Sequence, residues 1–261
     1  MASSTDFADL TGSPPKARYV AVVGDFVVLG CLSTLPQRVR WSGFDDATSW
    51  TVSASTQADF QDIVGNDGKV TGLVGGRDYG LVFLERALVR MTYVGPPYIF
   101  QFSIIEDAPG TRAPGSIASW KGLVFWLAED GFYMSTGAQA IPIGKNKVDR
   151  TFLSDLDNSY INRVTASYDP LQACYMVAYP GSGSVAGNPN KLMIYSLASQ
   201  RWTLVEQAVE ALFPAAASLG FTLDQLDTVS SSLDALSASL DSSAWAGGAT
   251  SFQAFDTNHK L

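Results

Sequence analysis

"VRWSGFDDATSWTV", residues 39 to 52, sets two tryptophans nine positions apart across a small, acidic, glycine-containing link. The stretch closes one apolar run and opens another, as the turn of an antiparallel hairpin does. It recurs in "MIYSLASQRWTLV" (193–205), where a strand again ends on an aromatic followed by Ser, crosses a turn and resumes on Trp. Aromatics on the two arms of a hairpin pack on one face, contributing on the order of 0.5 to 1 kcal/mol. Trp41 with Trp50, and Tyr195 with Trp202, are therefore read as cross-strand pairs within blades of sheet.

The hairpins belong to a longer repeat. Four segments join a turn to a strongly β-forming strand: "VVGDFVVLG" (22–30), "GGRDYGLVFLE" (75–85), "SWKGLVFWLAEDG" (119–131) and "SYDPLQACYMVAYPG" (167–181). With Phe26, Leu81, Leu123 and Cys174 as equivalent strand starts, the spacings are 55, 42 and 51, a period near fifty. Second strands follow at 38–41, 88–94, 131–135 and 191–197, and third strands at 49–52, 98–105, 139–144 and 201–206. Strand triplets at this period, with Gly, Pro, Asp and Asn at the joints, are the signature of a radial β array. A β-sandwich of equal strand count is the alternative, but it shows no such period. The predicted fold is all-β, a β-propeller-like array of about four blades with one or two short helices and an extended C-terminal arm.

Helical patterning is confined to two stretches. At 148–164, Val148, Phe152, Leu156 and Tyr160 recur at four-residue steps, with Asp149 read as the cap of a short helix bridging two blades. At 204–220, Val205, Val209, Leu212 and Phe213 share a helical face until Pro214. The segment 222–248 repeats Leu-Asp at 226, 233 and 240, a stripe too narrow and Ser-rich for a helix seam. It reads as an assembly arm docking Leu226, Leu233, Leu240 and Trp245 on a neighbour. The expected organisation is an extension over 1–18, a propeller-like domain over 19–216, the arm or linker over 217–246 and a terminal strand over 247–261.

Composition restricts function. With 46% hydrophobic and 16% charged residues the chain is a globular domain rather than a disordered one. Its net charge of −8 disfavours a surface that grips phosphates. Cys31 and Cys174 lie in apolar runs and read as buried free thiols. The start has no basic or apolar signal-peptide region, and no apolar run approaches the ~20 residues that span a bilayer, so a soluble chain made in a cytoplasm, without membrane anchor, is expected.

The one histidine, His259, sits two residues from the terminus, a poor place for a catalytic base, and neither a zinc cluster nor a P-loop occurs. Neither cofactor nor metal is expected. Asp45, Asp46, Glu129, Asp130, Asp155 and Asp157 are candidate carboxylates for glycoside hydrolysis, which needs two acids about 5 to 10 Å apart. Asp before Gly and in hairpin loops serves turns, so no enzyme is expected. Arg38, Arg40 and Arg90 alternate with apolar residues as outward strand positions do, with Glu85 as a neutralising partner. Trp50, Trp120 and Trp202 would be the sugar platforms of a glycan-binding or glycoside-hydrolysing propeller, the alternative function.

The phrases "RVRWSGFDDATSWT", "GLVGGRDYGLVFLERALVRMTYVGPPYIFQF", "LAEDGFYM", "PIGKNKVDRTF", "SYDPLQACYMVAYPG" and "LDALSASLDSSAWAGG" together resemble the tail nozzle and hub proteins of short-tailed bacteriophages. The likeness runs from about Tyr19 onward. It implies a virion structural protein, assembled in the host bacterial cytoplasm into a ring of itself, usually a hexamer, on the tail axis. Such a ring sits below the portal and adaptor, helps retain packaged DNA, and conducts it at ejection without specific binding. An acidic lumen suits a sliding polyanion. Members are longer, and this chain matches their middle. Its blades are thus expected to close with a neighbouring subunit or another tail protein, or the sequence is a piece of a longer one.

Overall fold

The computed structural model describes residues 10–216, 232 and 250–256. Contacts divide the chain into two compact units, Met1–Ser154 and Asp155–Leu261. The first holds three four-stranded antiparallel meanders. Blade 1 is β1 (Ala17–Val23), β2 (Phe26–Leu32), β3 (Arg38–Trp41) and β4 (Asp59–Asp62). Blade 2 is β5 (Val70–Val74), β6 (Tyr79–Leu84), β7 (Leu88–Gly95) and β8 (Ile99–Ile104). Blade 3 is β9 (Ala118–Trp120), β10 (Leu123–Leu127), β11 (Phe132–Ser135) and β12 (Ala140–Pro142), followed by the helix α1 (Asp149–Asp155). In the second unit, blade 4 is β13 (Thr165–Asp169), β14 (Cys174–Tyr179), β15 (Lys191–Ser196) and β16 (Arg201–Glu206). A two-stranded sheet of β17 (Ala211–Ala216) and β18 (Thr250–Phe255) packs beside it. The fold is all-β and β-propeller-like.

The run "YGLVFL" of β6 shows why blades stack. Successive side chains of a strand point to opposite faces, and both faces here are apolar. Val82 and Leu84 enter a core with Phe26, Val28 and Trp41 of blade 1. Leu81 and Phe83 enter another with Val124 and Trp126 of blade 3. Edge-to-face rings tighten both layers: Phe26 lies 5.0 Å and Trp41 5.1 Å from Phe100, and Phe83 lies 5.4 Å from Trp126. Blades 1 and 2 close on glycine. The Gly24 amide donates to the Gly76 carbonyl at 2.9 Å, and a Cβ on Gly75 would overlap the Val22 carbonyl.

The second unit packs in the same way. Met176, Ala178 and Leu192 of blade 4 meet Leu212, Phe252 and Ala254 of the two-stranded sheet. Thr165 ties the sheets together, its hydroxyl donating to the Leu212 carbonyl and accepting from the Leu212 amide at 3.3 and 3.2 Å.

Several sequence expectations are corrected. Each blade has four strands rather than three, because β1, β5, β9 and β13 precede the strands read as first. Residues 49–52 form no strand. Trp41 faces Asp59 on β4, and Trp50 belongs to the long link between β3 and β4, where it packs on Leu29 and Leu32 on the opposite face of blade 1 from Trp41. No helix forms over the described part of 204–220: 204–206 close β16, 211–216 form β17, and Val205, Leu212 and Phe213 lie on paired strands, while 217–220 fall outside the described residues. Tertiary pairing overrode a four-residue spacing that short apolar runs satisfy by chance. The helix expected over 148–164 is α1, then a 3₁₀ segment at Asn158–Arg163 with a kink at Tyr160. Asp149 does not cap its own helix; its carboxylate accepts the Phe132 amide at 3.1 Å. Cys174 is buried and Cys31 half-buried, both as free thiols.

Candidate functional site

A meander returns every second connection to the same end of its blade. The links β6–β7, β8–β9 and β10–β11 therefore meet at one end of the first unit. There they border an open trough of about 590 Å³, lined among others by Arg86, Glu106, Asp107, Glu129, Asp130 and Tyr133. All four acids are exposed. The arginine in the same lining donates from its guanidinium to the Asn66 carbonyl at 2.7 Å and is paired with none of the four acids. Asp130 accepts the Tyr133 hydroxyl at 2.6 Å, and burial, then that bond, pushes the phenol well above its usual range.

Behind the trough stands Asp149, at the start of α1. A Cβ on Gly131 or Gly144 would overlap its carboxylate, so two glycines make room for it. Burial pushes its pKa above the usual carboxylate range; the Phe132 amide opposes that, and the charge of Asp130 adds to it. Carboxylates aligned on a surface with few cations act through their summed field. Within about 8 to 10 Å at physiological salt they repel a polyanion.

Sequence reasoning named Glu129 and Asp130 but missed Glu106 and Asp107. The signal was present as "IIED" (104–107) beside "LAED" (127–130): an acidic pair twice closes an apolar run.

The other candidate acids serve a turn, a helix cap and an ion pair. Asp46 accepts the Thr48 amide and hydroxyl at 2.9 and 2.6 Å, and Asp45 occupies the same turn at φ 50°. Asp157 caps the 3₁₀ segment through the Ser159 amide at 3.0 Å. Asp155 pairs with the Lys191 ammonium at 2.8 Å and accepts the Tyr179 hydroxyl and Ser182 amide at 3.1 Å each. Burial opposes its charge, yet these donors outweigh burial and hold its pKa below the usual range. Among the described residues no three His, Cys, Asp or Glu side chains gather as metal ligands would. Nor, among them, is any helix long and apolar enough to cross a membrane.

Tyr195 lies opposite Trp202 across β15 and β16, ring centroids 5.0 Å apart. Trp41 donates its indole N–H to the Gln57 carbonyl at 2.9 Å. Trp50 is only 3% exposed and donates to the Ala47 carbonyl, which removes it as a sugar platform. Trp120 and Trp202 are half-buried, and the most open aromatic described is Tyr98, 79% exposed. The arginines differ from expectation too: Arg38 pairs with Asp62 at 2.7 Å, while Glu85 pairs with Lys69 at 3.8 Å. Arg40 is half-buried and donates to the Trp50 carbonyl. The arm residues Leu226, Leu233, Leu240 and Trp245, and His259, lie outside the described residues.

A scan against protein-family models finds no match, and a search of curated proteins likewise finds none. Among solved structures, the chain is similar to Hsv2 of Kluyvelomyces marxianus at 10% identity and TM-score 0.41, covering 77% of this chain and 55% of that one. It is similar to human WBSCR16 at 12% identity and TM-score 0.44, covering 80% and 61%. A nidogen/laminin complex matches at 11% and 0.41, covering 74% and 66%. The chain thus spans between 55% and 66% of the length of these structures.

Proposed function

We propose that this chain is a structural protein of a bacteriophage tail, a subunit of an axial nozzle or hub ring that passes DNA at ejection and helps retain the packaged genome. The resemblance of its blade phrases to that family motivates the reading. The observation that carries it is the trough, where Glu106, Asp107, Glu129 and Asp130 are exposed and Arg86 is tied to Asn66. A duct wall must not adhere to phosphate, because each Lys or Arg contact to DNA adds affinity. Partners are copies of itself, a hexamer on the family pattern, and an adaptor or portal-side ring. Its place is the virion tail, and it acts without catalysis or cofactor.

Electron cryo-microscopy of intact particles from the producing strain tests this: density fitting the chain should form a ring on the tail axis with the trough facing the channel. Particles carrying Glu106→Lys, Asp107→Lys, Glu129→Lys and Asp130→Lys together should eject DNA more slowly, most visibly at low salt. Absence of the chain from the axis, or unchanged ejection, overturns the reading.

A further inference from the structure

The opposite end of the first unit carries a cleft of contrary character. The β5–β6 link and the β9–β10 turn face each other across a space of about 300 Å³ whose lining includes Arg77, Asp78, Tyr79, Ser119, Trp120 and Lys121. Two aromatics from different blades and two cations converge here, in a chain of net charge −8. We propose that this cleft binds a carboxylate-bearing saccharide, one uronic-acid unit of an acidic polysaccharide seated between Tyr79 and Trp120. This site is separate from the trough and stands without the tail reading.

The walls are preorganised. The Tyr79 hydroxyl donates to the Thr136 carbonyl at 2.6 Å, and the Arg90 guanidinium lies 4.3 Å from the ring centroid. Lys121 and Gly122 both adopt left-handed backbone, φ 47° and 84°, the conformation of a tight two-residue hairpin turn. That turn fixes the Lys121 ammonium 5.5 Å from the Trp120 ring centroid. Aromatic faces pack on the C–H faces of a pyranose, while a few placed polar groups set its orientation.

The charged groups select among anions. Among the described residues the ion pairs are Arg38–Asp62, Lys69–Glu85 and Lys191–Asp155, so no carboxylate of the described residues is paired with Arg77 or Lys121. Both are exposed and able to donate charge-assisted hydrogen bonds to a ligand carboxylate. Asp78 in the same lining only accepts when ionised, and a sugar hydroxyl supplies the donor. A phosphodiester group offers no donor to Asp78, whereas each pyranose carries several hydroxyls. The constellation therefore fits a polyhydroxylated carboxylate better than a nucleic-acid strand.

Titration calorimetry of the full chain with trigalacturonate, maltotriose and a short oligothymidylate tests the assignment. Trigalacturonate should bind, maltotriose and the oligonucleotide at least about tenfold more weakly. Arg77→Gln with Lys121→Asn removes both cations, and Asn tolerates the left-handed turn, so the fold is kept. This variant should bind trigalacturonate about tenfold more weakly, with unchanged circular dichroism. Trp120→Ala should abolish binding. Absence of trigalacturonate binding to the unaltered chain, binding indifferent to the paired variant, or tighter binding of the oligonucleotide would each overturn the proposal.

Discussion

At the scale of single residues, Trp50 and Trp202 share a sequence device but not an environment. Trp50 is buried among Leu29 and Leu32, so Trp50→Ala should cost about 3 to 5 kcal/mol in urea unfolding. Trp202 is a half-buried cross-strand partner, and Trp202→Ala should cost about 1 kcal/mol. Two aspartates have opposite signs. The pKa of Asp155 is lowered in the fold, so it adds stability above the unfolded value, ~3.9, that is lost as pH falls through the folded one. Asp155→Asn leaves the half-buried Lys191 ammonium without its carboxylate and should cost about 1 to 3 kcal/mol at neutral pH, with the deficit shrinking in acid. The pKa of Asp149 is raised, so its ionised form opposes folding above its folded value and the penalty is relieved as pH falls through it. Asp149→Asn, keeping an acceptor for the Phe132 amide, should leave stability at neutral pH equal or higher and flatten its rise on acidification.

At the scale of elements, blades depend on glycine where backbones touch. Gly75→Ala would push a methyl into the Val22 carbonyl and should cost about 1 to 3 kcal/mol, read as a lower urea midpoint. The strands with continuous apolar runs, such as β6, β10 and β14, were legible in the sequence because burial on both faces leaves no polar interruption. The first strands were harder to read. In β1 exposed and half-buried positions dominate, and β9 has three residues, so neither shows a clear period. Trp50 misled for a related reason. A link that folds back over its own blade carries the same aromatics as a strand would, and only the pairing of Trp41 with Asp59 distinguishes them. The acids of the trough come from links far apart in sequence, and only stacked meanders reveal that Glu106 and Glu129 line one surface.

At the scale of the whole molecule, charge and connectivity set behaviour. If the chain assembles into a ring of like-charged copies, raising ionic strength should favour the oligomer in sedimentation equilibrium, since self-repulsion at −8 is screened. A fall in oligomer with salt would mean that ion pairs hold the interface instead. Connectivity has a consequence in time. Each of the four meanders pairs neighbours in the chain, so it can form as synthesis proceeds. Strand β17 cannot, because β18 follows only after residues 217–249. At a translation rate of roughly 5 to 20 residues per second, β17 waits on the order of seconds for its partner on the ribosome. During that interval Leu212 and the blade 4 face it covers are open to chaperones, and the two-stranded sheet closes only when β18 arrives.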